Sequence, residues 1–249
     1  VGRALPAREL RAAVGETFTL ERHPYLADHR LNGRPVVPLA AITDWIAEVF
    51  LAASGVEGGY VLEDLQLVRG VLGDEHAELR LDGRRAPEGA AEAEVEVRSG
   101  RDRALAYRAR IYGGRGVEAP TPLELSGSPR AAPLALDAFY RDHTFHGPML
   151  QGLKRLSRAT SEGMSGVVRP SEPKTWRPRR SGRAWALDPL VLDGSFQLAG
   201  YWLHVHHGRA GFPVGFDRMT VLRPFGAAPV HCVVRLREGP DHVAVRHPQ

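Results

Sequence analysis

The sequence predicts an α+β fold made of two consecutive halves, each a long apolar helix followed by antiparallel strands. Two observations carry this. One short plan occurs twice, about 160 residues apart: His29, Gly33 and Pro38 lead into an apolar run that stops at Gly55, and Asp188, Pro189 and Asp193 lead into another that stops at Gly208. After each run the apolar spacing changes from helical to alternating.

In the first run, Leu39, Ile42, Trp45, Ile46, Val49 and Phe50 keep the i, i+3, i+4, i+7 spacing of a helix with a buried face, which predicts a helix over 38–53. Pro38 suits its first turn and Gly55 its stop. Period-two alternation then predicts strands over 60–72, 76–81, 93–98 and 104–112, parted by the turn pairs Gly73-Asp74, Asp82-Gly83 and Ser99-Gly100. A stretch rich in Pro, Gly and Ser over 113–133 predicts the boundary between halves 1–120 and 121–249. The second half reads as a short helix over 137–141, a turn at Phe145 to Pro148, a strand over 153–168 and a Pro- and Arg-rich surface loop over 169–183. A helix over 189–207 and strands over 215–222, 230–237 and 242–245 complete it. Four strands thus follow the first helix and three the second, so a strict repeat puts one more strand beyond Gln249. The chain starts at Val1 without Met and breaks off in Pro248-Gln249, which reads as a segment of a larger polypeptide.

Composition narrows the function classes. The net charge of +4 is small and scattered, which argues against nucleic acid as a partner. Cys232 is the only cysteine, so an intrachain disulfide and a cysteine-based zinc cluster are both excluded, and a reducing, cytoplasmic setting is expected. The longest apolar runs fall short of the roughly 18 residues of a membrane helix, so no membrane partner is expected.

Four segments carry a family resemblance. His29, Gly33 and Pro38 meet an HxxxGxxxxP pattern, and Asp193 and Gln197 meet a DxxxQ pattern within Leu187-Asp188-Pro189-Leu190-Val191-Leu192. Phe145-His146-Gly147-Pro148 meets an aromatic-X-Gly-Pro pattern, and Phe212-Pro213-Val214-Gly215-Phe216 is similar to a Leu-Pro-Phe segment. With these, the chain resembles the dehydratase domain of polyketide synthases and polyunsaturated-fatty-acid synthases. Pro35 to Leu39 and Trp185 to Pro189 look closer to the polyunsaturated-fatty-acid-synthase and iterative branch.

The resemblance implies a double hot-dog fold, in which each half wraps a curved antiparallel sheet around its long helix. It implies a 3-hydroxyacyl thioester substrate on the phosphopantetheine arm of an acyl carrier protein, with loss of water to a 2,3-unsaturated thioester. Neighbouring megasynthase domains are the other expected partners, a homodimer is allowed, and no metal or diffusible cofactor is expected. His29 and Asp193 are the implied catalytic pair, with Gly33, Pro38, Gln197, His146, Gly147 and Pro148 around the substrate.

The chemistry tests these residues on their own terms. Elimination needs a base for the proton next to the thioester and an acid for the departing hydroxyl. His29 suits the base, since imidazole titrates at about 6.5. Asp193 is harder, because holding a carboxyl with a pKa of about 3.9 protonated near neutrality costs roughly 4 kcal/mol. Burial near Leu192 and Phe196 is expected to raise that pKa while lowering that of histidine. Gln197, one helical turn on, can orient the carboxyl. A backbone N–H near Gly33 or at the start of the helix after Pro38 can polarise the thioester carbonyl, with Gly33 permitting close approach.

Blander readings exist for each residue. A lone His among 11 is usually structural, and Asp193 alone reads as a carboxylate near a helix N-terminus. Asp28 reads as a turn residue, and His204, His206 and His207 as a helix C-terminus. Many family members carry Tyr where this chain has His146 and Thr144, and the spacing of Tyr140 does not let it substitute. Alternatives therefore remain: a product-template-like cyclase or pyran-forming variant with the same His and Asp, and a non-catalytic docking module, against which intact His29 and Asp193 argue.

Overall fold

The computed structural model describes residues 7–128, 132–180, 184–236 and 243–246. Strand β1 (Arg8–Thr17) comes first, followed by a helical turn at Pro24–Asp28 and a small hairpin of β2 (Arg30–Leu31) and β3 (Arg34–Pro35). Helix α1 (Leu39–Ser54) follows, then β4 (Tyr60–Leu67), β5 (His76–Arg85), β6 (Ala91–Ser99) and β7 (Ala104–Gly113). The second half holds α2 (Leu136–Asp142), β8 (Leu153–Ala159), β9 (Gly163–Val168), the short α3 (Pro173–Trp176), α4 (Pro189–His207), β10 (Gly215–Val221), β11 (Val230–Leu236) and β12 (Val243–Arg246).

Both long helices end as their sequences predict. Gly55 and Gly208 take left-handed φ angles of 62° and 63° and return their N–H groups to Leu51 and His204. Pro38 caps α1 from one residue outside the helix. Asp188 caps α4, its Oδ1 accepting from the N–H groups of Leu190 and Val191 at 2.9 and 3.2 Å, with Pro189 in the first turn. α1 is buried on nearly every side, including Ala40, Ile42, Ile46 and Phe50, because strands and the second helix enclose it. That is the double hot-dog arrangement.

Five sequence expectations are corrected. Asp82-Gly83 is no turn, since both residues lie inside β5, paired with Glu94 and Ala93 of β6. The stretch over 169–183 is no plain surface loop, since it holds α3 and buries Trp176 and Arg177. β1 lies where the patterns assign no element; it pairs antiparallel along the whole edge of β5. The strand predicted over 153–168 is a hairpin of β8 and β9, closed where the N–H of Thr160 donates to the Gly163 carbonyl at 2.9 Å. The strand predicted over 60–72 stops at Leu67, since the N–H groups of Val68 and Arg69 both turn to the Ala106 carbonyl.

The sheets also depart from two separate meanders. One runs β1-β5-β6-β7-β4-β10 and the other β12-β11-β9-β8. β10 follows α4 yet pairs antiparallel with β4 of the first half, so the halves share a sheet. Gly215 makes that pairing close: a Cβ there would sit 2.1 Å from the Leu65 carbonyl oxygen. Of the predicted strands over 230–237 and 242–245, residues 237 and 242 lie outside the described residues, as does any strand beyond Gln249. Among the described residues four strands follow α1 and three follow α4.

A buried ionic tie joins the halves at α1. Arg177 places Nη1 2.7 Å from Glu48 Oε1 and 3.6 Å from Asp44 Oδ2, and its guanidinium lies 3.7 Å over the Trp185 ring. Asp44 Oδ1 also accepts the Leu187 N–H at 2.9 Å, one residue ahead of the α4 cap. No helix among the described residues is long and apolar enough to cross a membrane.

Candidate active site

The two halves meet at His29 and Asp193. His29 follows the Pro24–Asp28 turn, and the β2–β3 hairpin folds the chain back so that Val36 pairs with it. The Val36 N–H donates to the His29 carbonyl at 3.0 Å, and the Val36 carbonyl lies 2.6 Å from His29 Nδ1. A carbonyl can only accept, so Nδ1 carries the proton and Nε2 keeps its lone pair. The reversal needs Asn32 and Gly33 at φ of 50° and 76°, the two left-handed residues of a tight hairpin turn.

Gly33 therefore serves the turn. It is exposed at the far end of the hairpin from His29, a Cβ on it would meet nothing within 4 Å, and Arg30 takes its carbonyl at 3.0 Å. The expected close approach of substrate to Gly33 is not what this position demands; its left-handed φ is. Pro38 is buried at the head of α1, where its carbonyl accepts from Ala41 and Ile42.

Asp193 is in the second turn of α4, past the capping residues, and is 5% exposed. Its Oδ2 accepts from Gln197 Nε2 at 2.6 Å, and the same amide nitrogen donates to the Leu150 carbonyl at 2.7 Å. Tyr140 fixes that amide from behind: it donates its hydroxyl proton to Gln197 Oε1 at 2.6 Å and accepts the Leu153 N–H at 2.8 Å. The i, i+4 spacing of Asp193 and Gln197 showed their contact in advance, whereas no spacing signal ties Tyr140 to Gln197, 57 positions away.

His146 closes the third side. It bridges His29 through the backbone, its Nε2 lies 3.4 Å from Asp193 Oδ2, and its ring centroid is 5.6 Å from that of His29. Phe145 stacks on His146 at 4.3 Å and meets His29 edge-on at 4.9 Å, with Phe212 behind it at 5.5 Å. Asp28 holds this loop in place. Its carbonyl accepts the Gly147 N–H at 2.8 Å and its Oδ2 the Met149 N–H at 2.7 Å, so the residue that reads as a turn in sequence splints the site. Gly147 has no room for a side chain, since a Cβ would lie 2.5 Å from the Asp28 carboxyl carbon. Pro148 is exposed, its carbonyl taken by Arg169.

Burial sets the electrostatics. It pushes the Asp193 carboxyl above its ordinary range, against the opposing pulls of His29 and the Gln197 hydrogen bond. It pulls His29 below the ordinary imidazole range, with Asp193 and the Val36 hydrogen bond resisting. Burial likewise pulls His146 to about 4. Burial thus moves both groups toward their uncharged forms, the imidazole by lowering its pKa and the carboxyl by raising it. His204, His206 and His207 lie apart in the last turn of α4, where His206 stacks on Trp202.

The double hot-dog thus carries His29, His146 and Asp193 together at the junction of its halves, and its likeness to known proteins is to one family. Residues 2–100 match the family described as polyketide synthase dehydratase domain, and residues 118–245 match polyketide synthase dehydratase N-terminal domain. The chain belongs to the polyketide synthase dehydratase family. It is 26% identical over 246 residues to one of the polyunsaturated fatty acid synthase polypeptides of Thraustochytrium sp., covering 93% of this chain and 9% of that protein. It is 28% identical over 249 residues to pikromycin polyketide synthase component PikAII of Streptomyces venezuelae, covering 92% of this chain and 6% of that protein. The chain thus spans less than a tenth of these relatives, which are multidomain synthases. The solved dehydratase domain from the CurK module of curacin polyketide synthase shares the fold, with a TM-score of 0.68 at 16% identity over 100% of this chain and 89% of that one. Two further structures of that domain carry a His→Phe and an Asp→Asn change and are described as inactive mutants.

Proposed function

We propose that this domain removes water from a 3-hydroxyacyl thioester carried by an acyl carrier protein, giving a 2,3-enoyl thioester, with His29 as base and Asp193 as acid. One observation supports it above the others: the Val36 carbonyl fixes the proton of His29 on Nδ1 and leaves Nε2 its lone pair, in a cluster with a buried carboxyl whose pKa burial raises. His29 Nε2 takes the proton from the carbon beside the thioester, and the electron pair forms the double bond. The hydroxyl on the next carbon leaves with the Asp193 proton as water. Proton return from His29 to Asp193 resets the pair. Each group contributes about 10²–10⁴-fold if it acts in the transition state. The first N–H groups of α1, just past Pro38, are the donors that this reading assigns to the thioester oxygen. No metal or diffusible cofactor enters the scheme.

The curacin domain is described as inactive with a His→Phe and with an Asp→Asn change, which supports a requirement for one residue of each kind. The partners of this reading are the carrier protein and adjoining synthase domains, and its setting is the cytoplasm. The test is incubation with a racemic 3-hydroxyacyl thioester on a carrier protein or pantetheine mimic, with mass spectrometry for loss of one water, beside His29→Ala. Water loss that depends on His29 supports the reading. An unchanged mass with a chromatographically new isomer would replace it with cyclisation, and retained dehydration in His29→Ala would remove His29 as base.

A further inference from the structure

We propose that His29, His146 and Asp193 form a binding site for a divalent transition-metal ion, Zn²⁺ above all, and that the ion shuts the acid–base pair off. One donor atom from each of the three lies within 4.8 Å of the others. Two imidazoles and a carboxylate are a donor set that suits Zn²⁺ and Co²⁺, whereas Ca²⁺ and Mg²⁺ favour all-oxygen sites.

The surroundings fit a metal as well as the donor count does. A metal-binding imidazole commonly donates its other N–H to a backbone carbonyl, and a metal-binding carboxylate is commonly held by a hydrogen bond. His29 Nδ1 has the Val36 carbonyl at 2.6 Å, and Asp193 Oδ2 has the Gln197 amide at 2.6 Å. His146 Nε2 and Asp193 Oδ2 are 3.4 Å apart, close to the edge of a tetrahedron with bonds of about 2.0–2.1 Å. His146 Nδ1 is buried without a hydrogen-bond partner, so Asp193 Oδ2 is the protein atom that faces the ring, and an ion seated between the two takes the Nε2 lone pair with the proton on Nδ1. A modest closure of the widest pair completes three protein ligands and leaves a fourth position for water.

His146 is what makes the site. A Tyr at this position would remove one nitrogen donor and leave a single imidazole facing the carboxylate. Occupancy takes the His29 lone pair that the proposed base uses and excludes the Asp193 proton. The inhibitory half of the inference rests on the dehydratase reading; the binding half does not.

The experiment separates the two. Isolated protein is titrated with Co²⁺, read by its visible absorption bands, and with Zn²⁺, read by calorimetry. One ion per chain is expected, with Mg²⁺ silent. His29→Ala and His146→Gln should each weaken Zn²⁺ by at least about tenfold, since loss of even an outer partner costs 10–100-fold. His204→Ala, in the last turn of α4, should leave it unchanged. Zn²⁺ should raise the melting temperature of the parent chain and not that of His146→Gln, which also reports whether the variant folds. Absence of a one-to-one site, or affinity untouched by His146→Gln, overturns the proposal. In turnover, Zn²⁺ should stop water loss and a chelator restore it. Full turnover with Zn²⁺ bound overturns the inhibitory half, while a chain that binds Zn²⁺ and dehydrates nothing in either state keeps the site and sinks the dehydratase reading.

Discussion

His29 donates its Nδ1 proton to the carbonyl of Val36, seven residues on, across 2.6 Å. That bond explains the HxxxGxxxxP spacing in physical terms. The histidine and its tautomer-fixing carbonyl stand side by side at the base of a hairpin, the glycine turns its tip, and the proline starts the helix behind it.

Gly33→Val should therefore impair the site from a distance. A β-branched residue held at φ of 76° is strained by about 1–2 kcal/mol, which the hairpin can relieve only by opening. The expected result is a melting temperature lower by a few degrees and a kcat reduced more than KM is raised, because Nε2 loses its assigned role. A change in KM alone would return Gly33 to substrate contact.

Gln197→Leu carries a signed pH prediction. The amide hydrogen bond favours ionised Asp193, so its loss lets burial push the carboxyl still higher. In the dehydratase reading protonated Asp193 is the working form, and the alkaline limb of kcat/KM should move to higher pH while the plateau falls by at least about tenfold. The two limbs belong to the His29–Asp193 pair, so they are read together. The stability sign agrees: a carboxyl raised in the fold holds its proton longer than the unfolded chain does, so stability declines as pH rises from about 4 to the folded value, and that window widens in the variant. A limb that moves down, or stays, would take Asp193 out of the acid role.

Much of this was legible in the sequence because it is local. The helix pattern, the two glycine stops, the His–Gly–Pro spacing and the Asp193–Gln197 turn all lie within a few residues of one another. What escaped is long-range. The alternation of β10 says that it is a strand but not that its partner is β4, some 155 positions earlier, rather than β11 next door. Tyr140 and Asp28 reach Gln197 and Met149 by hydrogen bonds to segments 57 and 121 positions away, and nothing in their neighbours marks them. The hairpin within 153–168 was hidden because Gly163 and Gly166, small for packing, break neither the apolar run nor its alternation clearly.

Gly147→Ala should loosen the His146 wall. Its backbone φ of −72° suits any residue, but the new methyl would meet the Asp28 carboxylate, which must then release the Met149 N–H. A buried or half-buried N–H left without its charged partner costs about 1–3 kcal/mol. Asp28→Asn, which keeps an acceptor of the same shape, should retain most activity, whereas Asp28→Ala should resemble Gly147→Ala. Equal activity in all three, read as water loss per enzyme, would deny the loop any part in holding the site.

The tie between the halves makes the last prediction. Arg177 is 5% exposed and faces Glu48, Asp44 and the Trp185 ring, and burial with Glu48 nearby pushes Asp44 well up while Arg177 pulls it down. Arg177→Ala leaves the buried Asp44 and the half-buried Glu48 carboxyls without this cation, a loss of about 3–5 kcal/mol. The sign with pH follows: with Asp44 raised further above its unfolded value, its contribution is present at low pH and lost as pH rises, so the deficit should be larger at about pH 8 than at about pH 5. Paired thermal melts of the parent and the variant at the two pH values read it directly. A deficit that is equal at both, or larger in acid, would mean that Arg177 acts by packing on Trp185 and not by its charge.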